Sequence, residues 1–334
     1  MEASSRRLRM KGSLPSLSGY LRFFRLESAS TPMTYLVLGY LIGGGSLLSA
    51  GTAVWLLFGL IFHMAGFGDN NLQDLSQDLA DPNKEVFPLG RSMPVAQARR
   101  AVLGLHMIGL AFALLISGSV TGASIFAVCY ASGIIYNRSS KSWASAPIFF
   151  ALTFAPLAAF SYYSVAGHFG PLIVLVSGLA FFECLFQNAV ATSLKDLHAD
   201  RMNFMKTIGA REESGLLFVP RKAWAVTLAI KGCQTGTFVG LATLVPAWTL
   251  LVGVPFLVIS LFGSARTIAP RPSEQRSRLM LHAAISELGS FYAVLGFLLV
   301  VLGTVSVLFL AVFPLAWYIL VKKALWGSVG AMMA

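Results

Sequence analysis

Nine stretches of the chain are continuously apolar over lengths that match the hydrocarbon core of a bilayer. They run near 31–47, 48–67, 97–117, 119–136, 146–166, 171–192, 222–244, 246–264 and 286–322. A helix needs about 20 apolar residues to cross a membrane. Lipid offers no partner to a bare backbone amide, so each crossing must close its hydrogen bonds internally, as a helix. Barrel strands would instead read as segments of about ten residues that alternate in polarity. The last run, 37 residues long, exceeds one crossing at ~1.5 Å rise per residue and has room for one long span or two. The expectation is an all-α, polytopic, integral membrane protein, a helical bundle of about nine transmembrane helices. Composition agrees, with 56% hydrophobic and 12% charged residues, where soluble domains carry about a quarter charged.

The charge is unbalanced, with 25 Lys+Arg against 14 Asp+Glu for a net of +11. In a membrane chain this excess belongs to cytoplasmic loops and anionic headgroups rather than to nucleic acid. Every second connection is basic. Lys84 and Arg91 lie in 68–96, Arg138 and Lys141 in 137–145, Lys195, Arg201 and Lys206 in 193–221, and Arg266 and Arg271 in 265–285. The alternate connections, near 47, 118, 167–170 and 245, carry no Lys or Arg. The N-terminus and the four basic loops are therefore expected in the cytoplasm. Residues 1–30 read as a basic cytoplasmic tail and 31–334 as a single transmembrane domain. Whether the host is a bacterial plasma membrane or an organelle is not encoded in this pattern. Cys129, Cys184 and Cys233 lie in apolar runs with no metal-ligand spacing.

The chain has six aspartates, Asp69, Asp74, Asp78, Asp81, Asp196 and Asp200. They fall into two clusters, and the loop pattern puts both on the same side of the membrane. Asn70, Asp74 and Asp78 are spaced i, i+4, i+8, one face of a helix, and Asp196 and Asp200 are again i, i+4. Carboxylates one turn apart repel unless a cation lies between them. Oxygen ligands without Cys or paired His suit Mg²⁺, which is completed by water and substrate phosphates. Two facing pairs would clamp a diphosphate, with the loop cations Lys84, Arg91, Arg138, Lys141, Lys195 and Lys206 on its oxygens. A diphosphate neutralised in place becomes a better leaving group. The two cluster-bearing regions also share an order of apolar helix, aspartates and basic loop, which suggests two pseudo-repeated halves.

With both clusters in view, the sequence resembles the UbiA-type family of intramembrane prenyltransferases. That family carries NDxxDxxxD after its second helix and DxxxD after its sixth. Here the first motif reads Asn70-Asn71-Leu72-Gln73-Asp74-Leu75-Ser76-Gln77-Asp78, followed by Pro88-Leu89-Gly90-Arg91. The second reads Lys195-Asp196-Leu197-His198-Ala199-Asp200, followed by Lys206-Thr207. Tyr136 with Lys141 is similar to the family's tyrosine and basic residue at the end of the fourth helix, one residue further apart. Asn71 departs from the usual aspartate and lowers the charge of the first motif by one. The stretch from Asp200 to Lys206 lacks the aspartate and glycine common there.

The resemblance implies helices around a central cavity and a Mg²⁺ cofactor. It implies metal ligands among Asn70, Asn71, Asp74, Asp78, Asp196 and Asp200, the four aspartates being catalytic. It also implies diphosphate contacts from Lys84, Arg91, Tyr136, Arg138, Lys141, Lys195 and Lys206. The donor would be a polyprenyl diphosphate. The acceptor would be a hydrophobic or aromatic molecule resembling a quinone precursor. A membrane terpene cyclase acting on the diphosphate alone is the alternative outcome of the same site. A divalent-cation transporter is a remote one, because transporters place polar residues near the midplane.

Glu183 stands inside the apolar run 171–192, with Gln187 one turn on. An ionisable group in a span faces a cavity or a partner. Glu183 and Gln187 are therefore expected on the acceptor side of the pocket or in a hydrogen bond between helices. Lys231, a third of the way into its own run, is placed to snorkel or to pair with Glu183. His63 is within reach of the pocket, while His106 and His282 read as packing or interfacial residues.

Overall fold

The computed structural model describes residues 17–75, 93–197, 202–269, 271–272 and 276–327. A short helix, α1 (Leu17–Phe23), and a 3₁₀ turn (Leu26–Ser28) lead into α2 (Ser30–Ile42) and α3 (Ala50–Gln73). Then come α4 (Val95–Ile116), α5 (Val120–Ser139), α6 (Ala146–Ala166) and α7 (Pro171–Phe186). Helix α7 continues through a π-helical stretch, Gln187–Thr192, into Ser193–Lys195. After the one-turn α8 (Phe204–Thr207) and a hairpin, α9 (Arg221–Ala242), α10 (Leu250–Thr267), α11 (Arg276–Phe297) and α12 (Leu299–Trp326) complete the described chain. Eight of these helices are long and apolar enough to cross a membrane. The two other bundle helices are α2, which has 13 residues, and α9, which carries Arg221, Lys222 and Lys231. The protein is thus a polytopic helical bundle.

The run at 286–322 resolves into two helices rather than one. Its first part is the end of α11, which starts at Arg276 and absorbs ten residues expected in the loop 265–285. The chain then breaks at Leu298, and again inside α12, where Gly303 has φ 73° and ψ 155°. Only glycine takes that backbone without strain.

Helix α6 lies deepest, packed on α2, α5 and α7. Gly39 of α2 allows the approach to α6, since a Cβ there would collide with the Ala158 carbonyl. Helices α10 and α11 lie against each other along their length. Ser260 and Ser290 hydroxyls bond at 2.6 Å and Ser264 and Ser286 at 2.8 Å. Small residues and interhelical hydroxyl bonds are how helices associate where lipid is as apolar as leucine. Aromatic rings fill the first half's centre, with Trp55, Phe58, Phe126 and Phe160 in edge and tilted contacts.

Two features lie outside the expectation. Residues 17–30, read from sequence as tail, pack on the bundle, with Phe23 and Phe24 buried. Arg22 donates to the Leu325 carbonyl and lies over the Trp326 ring, and Trp317 donates to the Leu26 carbonyl. The second is a small antiparallel sheet: Arg211–Glu213 (β1), Leu216–Phe218 (β2) and Arg271–Pro272 (β3), in that order. Ser214 and Gly215 join β1 to β2, both with positive φ, the tight two-residue turn that suits a hairpin's twist. The sheet ties two loops of the second half together.

Candidate active site

A cavity of about 290 Å³ opens among α3, α4, α5, α6 and the π-helical end of α7. Phe58, Phe62, Phe126, Phe150 and Phe154 make much of its wall, and its polar end holds Asp69, Asn70, Tyr136, Asn137, Asn188 and Lys195. Helical spacing explains the first set of donors. Phe62, Gly66, Asn70 and Asp74 fall four residues apart, with Asp69 three beyond Gly66, so one side of α3 passes from aromatic to polar as it leaves the apolar run.

Within the first motif, Asn70 Nδ2 donates to Asp74 Oδ2 at 2.8 Å. This commits one amide hydrogen and leaves the Asn70 amide oxygen for another partner. Asp69 accepts from Asn137 Nδ2 at 3.0 Å, and the same amide reaches the Gly66 carbonyl at 3.0 Å, tying α5 to α3. On the far wall, Asn188 Nδ2 donates to the Tyr136 hydroxyl at 2.9 Å, tying α7 to α5. The π-helical turn places Asn188 there. It is closed in part by Ser193 Oγ on the Asn188 carbonyl at 3.0 Å, and single π turns within helices often sit at functional sites. Past that turn, Asp196 leaves helical geometry, with φ −96° and ψ 20°. Its carboxylate is 3.7 Å from the Lys195 ammonium.

Of the expected site residues, Asn70, Tyr136 and Lys195 line this cavity. Asp74 and Asp196 adjoin it, the first bonded to Asn70 and the second beside Lys195. Arg138 is exposed at the last turn of α5, with Lys141 half-buried beyond it and Lys206 half-buried in α8. Asp78, Lys84, Arg91 and Asp200 lie outside the described residues.

The ligand role expected for Asn71 does not fit. Asn71 is buried, and its Nδ2 donates to the Phe23 carbonyl of α1 at 2.5 Å. Asn71 is thus turned toward α1, and it is not among the residues that line the cavity. An aspartate there would have no hydrogen to give that carbonyl.

Glu183 and Gln187 do not line the aromatic cavity either. Glu183 Oε2 pairs with Lys231 Nζ at 2.6 Å and accepts from Ser290 Oγ at 2.6 Å and Gln234 Nε2 at 3.0 Å. Its Oε1 accepts from Gln187 Nε2 at 2.8 Å and from Ser286 Oγ at 3.3 Å. Gln187 also donates to the Ala283 carbonyl at 3.0 Å. This is the expected pairing with Lys231, extended into a network over three helices.

Several polar cavity residues were not read as site residues from the sequence, among them Arg25, Asp69, Asn137 and Asn188. Arg25 arrives because α1 folds back, and His63 Nε2 donates to its carbonyl at 2.9 Å while the imidazole stacks on Phe67. Asp69 had a sequence signal, since it adjoins Asn70 on the same half of the helix. His106, expected as packing, lines the cavity and shares a 2.9 Å hydrogen bond with the Tyr130 hydroxyl.

The sequence profile of the UbiA prenyltransferase family matches residues 32–285. The chain belongs to that family. It is a UbiA-family membrane prenyltransferase, and solved structures share its fold. A digeranylgeranylglyceryl phosphate synthase superposes with a TM-score of 0.66 at 14% identity, over 86% of this chain and 99% of that one. A UbiA homologue from Aeropyrum pernix K1 gives 0.55 at 16% identity, over 79% and 97%. A UbiA homologue from Archaeoglobus fulgidus, bound to GPP and Mg²⁺, gives 0.54 at 20% identity, over 86% and 100%. Among curated proteins none matches the sequence.

The donor chemistry at the cavity's polar end can be tested against a metal. Among the described residues, no three His, Cys, Asp or Glu side chains gather into a metal site. The groups present are amide and carboxylate oxygens, which suit a hard cation that keeps water and phosphate oxygens in its shell. On donor type, the residues of this UbiA-family chain fit Mg²⁺.

Proposed function

We propose that the enzyme ionises a polyprenyl diphosphate in the aromatic cavity and transfers the prenyl group to a hydrophobic or aromatic acceptor. One observation carries this reading: an oxygen-rich polar end, with Asn70, Asp69 and Lys195, closes a cavity whose wall includes six phenylalanines, Phe58, Phe62, Phe67, Phe126, Phe150 and Phe154. A diphosphate fits the first part and an isoprenoid chain the second. A UbiA homologue of the same fold, from Archaeoglobus fulgidus, is bound to GPP and Mg²⁺, which supports the same donor class here.

In this reading Asn70, Asp74 and Asp196 hold Mg²⁺, joined by Asp78 and Asp200. The bound ion supplies charge neutralisation that turns diphosphate into a good leaving group. Lys195 offers its ammonium to a diphosphate oxygen, with Lys141, Arg138, Lys206, Lys84 and Arg91 assigned to the same anion. Tyr136, held by Asn188, offers its hydroxyl at the diphosphate end. Asn137 orients Asp69 against α3. The Phe58, Phe62, Phe126 and Phe154 rings exclude water from the ionised prenyl group and face it with π density, which stabilises a cation. Glu183 and Gln187 act on the acceptor side as framework rather than as lining of this cavity. The positive-inside pattern places both motifs on the cytoplasmic side.

The test is Mg²⁺-dependent diphosphate release from purified protein, with a panel of prenyl chain lengths and acceptors, products read by mass spectrometry. A prenylated acceptor is the expected product. A cyclic hydrocarbon formed without acceptor would reassign the enzyme as a cyclase. Absence of diphosphate release from every donor would overturn the reading.

A further inference from the structure

The aromatic cavity changes character along α5. At its polar end Asn137 holds Asp69. Seven residues earlier, ~10 Å of helix, Tyr130 lines the same cavity among phenylalanines, its ring centroid 5.8 Å from that of Phe126. Its hydroxyl meets Nδ1 of His106, on α4, at 2.9 Å. Helical spacing puts His106 on the inner side of α4. Ala98, Val102, Gly109 and Ala113 are that helix's buried face, and His106 falls between the second and third of them at steps of four and three. Leu103, Met107 and Leu114 are exposed on the other side.

Other polar side chains in this stretch of the cavity are withdrawn from it. His63 is 2% exposed and bonded through Nε2 to the Arg25 carbonyl. Cys129 is fully buried, and Thr153 turns its hydroxyl back on the Phe149 carbonyl at 2.8 Å. His106 and Tyr130 are only half-buried, and among the described residues their mutual bond is the one hydrogen bond that either side chain makes. Whichever of them is the donor, the pair keeps one hydrogen to give and one lone pair to receive. A hydroxyl group on a ligand needs that combination.

Either tautomer also lets the pair take up a proton. If Nδ1 carries hydrogen and donates to the tyrosine oxygen, the Nε2 lone pair is the base. If the tyrosine donates to Nδ1, a proton arriving on its oxygen moves the phenolic hydrogen onto Nδ1. Both routes end with imidazolium beside a neutral tyrosine.

Prenyl transfer releases such a proton, and here the inference rests on the prenyl-transfer reading above. The donor's carbon–oxygen bond breaks, and its electron pair leaves with diphosphate. An electron pair from the acceptor's oxygen or ring carbon makes the new bond to the allylic carbon. The hydrogen on that atom then departs as a proton. We propose that the His106–Tyr130 pair binds a hydroxyl-bearing aromatic acceptor beside the prenyl group and takes that proton, returning it to water as the products leave. The pair stands about two helical turns from the residues assigned to the diphosphate, so the cavity is divided between a donor end and an acceptor end.

The experiment measures product partition in the purified protein, with geranyl diphosphate, Mg²⁺ and a panel of hydroxylated aromatics. Prenylated aromatic and prenyl alcohol are quantified by mass spectrometry, and diphosphate release is followed separately. In His106→Ala the ratio of prenylated aromatic to alcohol is expected to fall by roughly a hundredfold, the scale of a lost general base. Diphosphate release falls less than transfer does, and added imidazole restores transfer several-fold. His106→Gln, which can bond a hydroxyl and cannot take a proton, shows the same shift without leaving a gap. Tyr130→Phe costs transfer roughly tenfold, the worth of a hydrogen bond that orients the ring. An unchanged ratio in the His106 variants, with melting temperatures near the parent value, leaves the proton to the departing diphosphate and overturns the proposal. Equal loss of release and transfer with no rescue by imidazole also overturns it, as does a parent protein that releases diphosphate and prenylates none of the panel. A parent that releases no diphosphate from any donor fails the prenyl-transfer reading instead.

Discussion

The aromatic cavity and the Glu183 cluster both place polar side chains inside a bundle of membrane-type helices, and they handle them in opposite ways. In the cluster, one carboxylate receives an ammonium, two amides and two hydroxyls from α7, α9 and α11. Nothing is left to offer a ligand, and the cluster's work is to hold three helices in register. In the aromatic cavity the described side-chain bonds run in small separate sets rather than converging on one group. Asn70 holds Asp74, Asn137 holds Asp69, and Asn188 holds Tyr136. Each bond fixes an orientation, and Asp69 takes a second, longer bond on its other oxygen from Gln73 Nε2 at 3.5 Å. The same residue types serve as mortar in one place and as a binding surface in the other, and what separates them is how many partners each atom already has.

Six substitutions probe that contrast, from the largest expected effect to the smallest. Asp74→Ala and Asp196→Ala are each expected to abolish turnover while the melting temperature stays near the parent value, measured by diphosphate release and thermal unfolding in detergent. Residual activity near the parent level in either would break the assignment of the open cavity as the metal end. Lys231→Met should strand Glu183 without its counter-charge and cost about 3–5 kcal/mol of stability. The pair Glu183→Leu with Lys231→Met should recover most of that loss, because a buried ion pair replaced by packed apolar groups is often close to neutral. If the single and double variants unfold alike, the cluster is not the structural clamp described. Asn188→Ala removes the amide bonded to the Tyr136 hydroxyl and should raise the donor KM by about tenfold, with little change in stability. Asn71→Asp removes the donor to the Phe23 carbonyl and sets a carboxylate against it. A cost of about 1–3 kcal/mol should appear as faster tryptic cleavage at Arg22 and Arg25, read by limited proteolysis.

Much of this arrangement was legible in the sequence because it rests on periodicity. Apolar runs gave the helices, and i, i+4 spacing gave the stripe of Asn70 and Asp74. The orientation of Asn71 was not legible, because it lies one turn from Asp74 on the helix and its partner, the Phe23 carbonyl, arrives only when α1 packs back on the bundle. The pairing of Glu183 with Lys231 was visible as two ionisable groups in apolar runs that need each other. Gln234, Ser286 and Ser290 were not visible as its partners, because serines and glutamines in a span carry no mark of what they face. Arg25 was read as tail because nothing local reports that α1 folds back on α12. The split of 286–322 hinged on Leu298 and on the left-handed backbone at Gly303, and a glycine within an apolar run is equally at home in a continuous helix.

The π-helical stretch at Gln187–Thr192 has a consequence for inheritance. A π turn holds one residue more than the α-helical turn it replaces. Deleting any single residue there would let α7 rewind as an ordinary helix, with the chain on either side left close to where it was. Lys195 and Asp196 would keep their places, while the widened turn that carries the Asn188 amide to the Tyr136 hydroxyl would be gone. For this segment one residue of length is the inherited trait, and its loss would be felt inside the turn rather than beyond it.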